Sequence, residues 1–181
     1  MTMIAIANFF ERICTYAARF AGILLVLLMM TIVYDIVGRQ FFNTGSVALQ
    51  ELQWHLHGAI ALLGFGYAYT RDAHVRIDIL HENFPHRLKL KLEFLGIVFL
   101  LTPFFLVLLW TGFDFAHRSF VHGEVSPSDL GLHHRWIVKS VVPLSALFVL
   151  LGAWSVALRA ILVLRGQLQL AYRKEDGLWK S

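Results

Sequence analysis

The sequence predicts an all-α integral membrane protein: four transmembrane helices, short interfacial amphipathic helices, and both termini on the cytoplasmic side. Three observations carry this reading. Of 181 residues, 57% are hydrophobic and only 15% charged, against about 45–50% and about 25% in soluble domains. Apolar runs recur at lengths able to cross a bilayer, which takes ~20 helical residues. The basic residues also gather on one set of connecting segments.

Residues 1–19 come first. Phe9, Ile13, Tyr16 and Phe20 recur at helical spacing, with Glu11, Arg12 and Arg19 elsewhere around the helix. That pattern predicts an amphipathic helix lying in the membrane interface before the chain turns inward. Glu11 stands just ahead of the apolar run and Tyr34-Asp35-Ile36 is a poor cleavage context, so the segment reads as a retained anchor rather than a signal peptide.

A four-span membrane domain is expected over residues 20–165. Its first span covers about 20–38, interrupted only by Asp35. The second, about 49–70, is the least apolar. Gly58–Thr70 is clean but short, roughly 20 Å of helix, so a crossing must start near Leu49 and carry Glu51, Gln53, His55 and His57. Those groups then need protein or headgroup partners, because lipid offers no hydrogen bonds; a re-entrant segment is the alternative. The third span, about 94–113, has no formal charge, and Pro103 removes a backbone donor and should kink it. The fourth, about 138–158, has Lys139 and Arg159 at its ends, able to snorkel outward. Pro143 lies in its first turns, and Gly152 permits a close helix contact. Residues 166–181 read as a polar cytoplasmic tail.

Orientation follows from charge. The N-terminus, the loop between spans two and three, and the C-terminus hold 12 of the 16 basic residues. The other side has Arg39, Arg118, Arg135 and Lys139. Positive charge stays inside, so both termini are expected in the cytoplasm.

The chemistry-bearing residues point away from catalysis. A single cysteine, Cys14, excludes an internal disulfide and a cysteine-based zinc cluster. The basic residues edge the apolar runs instead of forming a patch interleaved with aromatics, which excludes a nucleic-acid surface; Arg87, Lys89 and Lys91 suit anionic lipid headgroups. No nucleophile with a base, P-loop or GxGxxG is present, so no enzyme is predicted. Nine histidines raise one alternative, a haem b-binding membrane anchor of a respiratory complex. It needs two histidines inside facing spans, and only His57 comes close. His133 and His134 lack a helical metal-ligand spacing. Asp35 and Arg39, four apart, share a helix face and can pair, as can Glu51 and His55. Four spans without the repeats of a self-sufficient carrier suggest an accessory subunit, an unrelated membrane adaptor being the third possibility.

Several segments then combine in one order. Asp35-Ile-Val-Gly-Arg39 closes the first span, and Leu49-Gln-Glu51-Leu-Gln-Trp54 opens the second. His74-Val-Arg76-Ile-Asp78 follows the second span. Glu124-Val-Ser126-Pro127, Gly131-Leu132, Arg135-Trp136-Ile-Val-Lys139-Ser140 and Pro143 complete the series. Over roughly residues 20–165 the chain resembles the small (DctQ-type) permease subunit of tripartite ATP-independent periplasmic, or TRAP, transporters. It departs at Asp129-Leu130, where that family often has proline-glycine, and at Asp72-Ala73, where glycine is frequent.

The resemblance implies a scaffold in a bacterial inner (cytoplasmic) membrane. A periplasmic substrate-binding protein would capture an organic anion, and a large multi-span permease subunit would import it with sodium. By this resemblance the small subunit has no cofactor and no sodium site; sodium belongs to the large subunit. Asp35, Arg39, Glu51, Trp54, His74, Arg76, Asp78, Glu124, Arg135, Trp136 and Lys139 would then be structural or at subunit contacts. His74 and Asp78 are expected to order the inner elbow, Glu51 and Lys139 to satisfy polar groups at the outer interface.

Overall fold

The computed structural model describes residues 2–71, 73, 85–128 and 130–167. Every regular element among them is helical. Helix α1 spans Thr2–Phe42 and α2 spans Val47–Thr70. Next come α3 (His86–Gly96), a π turn (Ile97–Leu101) and α4 (Thr102–Val121), which run on as one rod. Helix α5, Trp136–Leu164, completes the fold.

Helix α1 differs from expectation. It continues through residue 20 with no turn, because no proline interrupts residues 2–42 and Ala, Leu and Met favour the helix throughout. The face that packs is not the aromatic one. Ala7, Cys14, Ala21, Leu28 and Asp35, seven apart, are buried, whereas Phe9, Tyr16 and Phe20 point outward. A seven-residue stripe keeps one face on a neighbouring helix, and small side chains on it let backbones approach.

Asn43-Thr-Gly-Ser46 turns the chain, with Asn43 at φ 52° and Thr44 N donating to Gly38 O at 3.1 Å. Ser46 then caps α2 by accepting from Leu49 N. Within α2 the step toward α5 depends on glycine. A Cβ on Gly66 would lie 2.5 Å from Phe148 O, and one on Gly152 would lie 2.5 Å from Gly66 O. The two backbones are therefore in near contact, the close approach foreseen at Gly152.

At Pro103, where a kink was expected, the rod carries a π turn just before the proline. Thr102 N reaches back five residues to Ile97 O, and Thr102 Oγ1 donates to the same carbonyl at 2.7 Å. An extra residue in the turn accommodates a ring that offers no N–H.

Helix α5 is the centre. It packs against α1 and α2 on one side and against the α3–α4 rod on the other, while α1 and α2 also pack together. Its buried residues run from Pro143 to Leu162. Ile97, Ala153, Val156 and Ala157 form a core cluster, joined by Tyr69, Phe94, Leu101 and Trp154. Three helical rods are long and apolar enough to cross a membrane: α1, Arg87–Val121 and α5. Helix α2 has the length, about 36 Å, but its first half carries Gln50, Glu51, Gln53, His55 and His57.

Candidate functional site

Two polar clusters stand at opposite ends of the α1–α2–α5 bundle. The first is built from α1, the end of α2 and the later part of α5. Arg159 Nη2 donates to Asn8 Oδ1 at 2.9 Å and to Glu11 Oε2. Arg71, which caps α2, places Nη2 3.6 Å from Glu11 Oε1 and its guanidinium over the Tyr67 ring. Nearby, Ser155 Oγ donates to Ala7 O at 2.9 Å and Cys14 Sγ to Phe148 O at 3.3 Å. Arg159 therefore does not snorkel outward as its position near a helix end suggests. It is 8% exposed and turned onto α1, because a carboxylate and an amide there satisfy it.

The second cluster joins the far ends of α1 and α2 to the loop before α5. Asp35, buried, pairs with Arg39 at 2.8 Å and accepts from Gln53 Nε2 at 3.3 Å. Glu51 turns to the loop: Leu132 N donates to Oε2 at 2.8 Å, and Ser126 Oγ donates to Oε1. Glu124 receives Lys139 Nζ and lies 3.7 Å from Arg135. The Lys139 hydrogen bond holds the Glu124 carboxyl below its ordinary pKa. Lys139 also stands 4.1 Å from the Phe115 ring centroid, and Trp136 meets Phe120 edge to face at 5.3 Å. The loop is closed by its own backbone, with Ser126 N donating to Leu132 O and Arg135 N to Glu124 O.

These contacts gather Asp35 with Arg39, Glu51 with the loop, and Glu124 with Arg135 and Lys139. Trp54 stands apart, 76% exposed. His74, Arg76 and Asp78 lie outside the described residues, as do Asp72 and Asp129. The sequence reading passed over Asn8, Glu11, Arg71 and Ser126 as partners. Their signal was faint: single polar groups at the margins of apolar runs, whose partners lie far along the chain. His57 is exposed on α2, whereas haem ligation requires an imidazole facing a second helix. Among the described residues, no group of three His, Cys, Asp or Glu is placed to hold a metal ion.

The spacing of the clusters is informative. Twenty residues separate Glu51 from Arg71 along α2, and twenty separate Lys139 from Arg159 along α5. Either interval is about 30 Å of helix, the thickness of a bilayer's hydrocarbon core. What the arrangement does chemically is pin: each end of the bundle is tied across three segments by charge-assisted hydrogen bonds and ion pairs.

Residues 28–165, well over half of the chain, match the family described as tripartite ATP-independent periplasmic transporters, DctQ component. The chain belongs to the DctQ family. It is thus a TRAP transporter small subunit, a transporter component rather than an enzyme by family. None of the curated proteins matches it. The region shared with DctQ components takes in Asp35, Glu51, Glu124, Arg135, Lys139 and Arg159, and leaves Asn8 and Glu11 before it.

Proposed function

We propose that this DctQ component is the stationary membrane scaffold of a sodium-coupled TRAP transporter in a bacterial inner membrane. Its partners are a large permease subunit, which carries an organic anion, and a periplasmic binding protein, which delivers it. The observation that carries the reading is the pinning of the bundle at both ends, at levels one hydrocarbon thickness apart. The ties at both faces, with the interlock between them at Gly66 and Gly152, hold the helices in one fixed arrangement, which a scaffold requires.

The same spacing supports four crossings. Helix α2 fits between the polar levels, with Glu51 and Gln53 satisfied by protein at one end and Arg71 at the other. The positive-inside bias then puts the Glu11–Arg159 end, and both termini, in the cytoplasm. Residues 1–19, expected in the interface, lie on the same unbroken helix, and the Glu11 level favours a start of the α1 crossing nearer Arg12 than Phe20. Trp54 and the outward aromatic face of α4, including Trp110, are suited to the large subunit.

The test is a gentle-detergent purification of the tagged chain from native membranes, with its companions identified by mass spectrometry. Recovery of a much larger multi-span permease is expected. Recovery of respiratory subunits, or of no permease, overturns the reading.

A further inference from the structure

Between α1, α2 and α5 lies an apolar cavity of about 640 Å³, open on one side. Its walls include Leu24, Leu56, Ala59, Leu63, Val141 and Leu144. Only three lining side chains carry polar atoms, His55, His133 and His134, and they stand with Leu132 at the end nearest the Glu51 cluster. His134 holds a left-handed backbone at φ 65°, uncommon for a residue with a side chain.

Dimensions decide what fits. Along α2 the lining runs from Leu52 to Leu63, and along α5 from Ile137 to Phe148. Each stretch rises about 16 Å, half of a ~30 Å hydrocarbon core. A partner helix that crosses the membrane needs the full ~30 Å and would run past the end of this lining. A hydrocarbon chain from one leaflet matches the length and the apolar wall, and its headgroup then reaches the level of the three imidazoles.

We propose that this cavity is a binding site for a membrane phospholipid. One acyl chain lies between α1, α2 and α5, and the headgroup phosphate accepts hydrogen bonds from His133 and His134. The lipid fills the space that the three helices leave between them. The proposal rests on the membrane placement given above, though not on the identity of the large subunit.

The test uses the assembled transporter in nanodiscs of phosphatidylethanolamine and phosphatidylglycerol, doped with phosphatidylethanolamine bearing a mid-chain diazirine. After illumination, cross-links are mapped by peptide mass spectrometry. Adducts are expected on Leu56, Leu63, Val141 and Leu144 as well as on open surfaces such as Phe104. Ala59→Phe should lower the cavity adducts several-fold and leave those at Phe104 unchanged. Replacing both His133 and His134 by Ala should weaken cavity labelling in the same direction. Adducts confined to the open surfaces in the unmodified protein overturn the proposal, and that result does not depend on any variant folding. Equal cavity labelling in Ala59→Phe also overturns it, and unchanged labelling in the double histidine variant overturns the headgroup assignment. Where purification yields the chain without a permease, the scaffold reading fails, and the same labelling of the chain alone in these nanodiscs tests the lipid site separately.

Discussion

Glu11 and Arg159 are 148 positions apart in the chain and meet side chain to side chain where α1 crosses α5. Arg159 is buried, so its charge has to be answered from within the protein. Glu11 and Asn8 do so from α1, and Arg71 brings α2 to the same carboxylate. One carboxylate thereby fixes the relative height of three helices.

Glu11→Gln should destabilise the chain by about 3 kcal/mol, the range for leaving one partner of a buried ion pair uncompensated. A thermal or denaturant melt in detergent reads it. Glu11→Leu combined with Arg159→Met should recover most of the loss, because a matched apolar pair removes the stranded charge along with its partner.

Gly66→Ala should push α2 away from α5 and cost about 1–3 kcal/mol through overpacking. Gly64→Ala is the control, since a Cβ there meets nothing within 4 Å. That change should be neutral or stabilising, because alanine suits a helix better than glycine by up to about 1 kcal/mol. Equal melting of the two variants would argue against the close crossing.

Glu124 links stability to pH. Its folded pKa is lowered from the ordinary 4.5, chiefly by the hydrogen bond from Lys139. A lowered carboxylate pKa contributes stability that is complete above the unfolded value and is lost as pH falls through the folded one. At neutral pH the protein should therefore melt above Glu124→Gln. The gap should close as the medium is acidified below the ordinary carboxylate range, and a gap that stays constant with pH would contradict the Glu124–Lys139 pair.

Glu51→Gln should loosen the loop without unfolding the bundle. The Leu132 amide now donates to a carboxylate, and a neutral amide oxygen accepts less strongly. Hydrogen exchange at Leu132 should quicken, while amides in the middle of α5 keep their protection.

What was legible in the sequence was local. The apolar runs became helices, Asp35 and Arg39 paired across one turn, Pro103 disturbed its rod and Gly152 marked a close contact. The unbroken course of α1 was not legible. Phe9, Tyr16 and Phe20 advertise an apolar face, but the face that packs bears Ala7, Cys14 and Ala21, and small residues give little hydropathy signal. Glu11 with Arg159, and Glu51 with Leu132, were beyond reach for another reason. Helical spacing identifies partners three or four residues away, whereas these pairs depend on how whole helices stack.

The central claim is that the helix bundle of this DctQ component keeps one internal arrangement while its transporter works. Cysteines for spin labels at Ile23 on α1 and Val121 at the end of α4, both exposed, give a distance across the bundle once Cys14 is replaced by alanine. Pulsed dipolar spectroscopy would be run on the assembled transporter, first without ligands and then with sodium and substrate-loaded binding protein. The account predicts one distance distribution, unchanged between the two conditions. A second population appearing with sodium and substrate would contradict it and show that the bundle rearranges during transport.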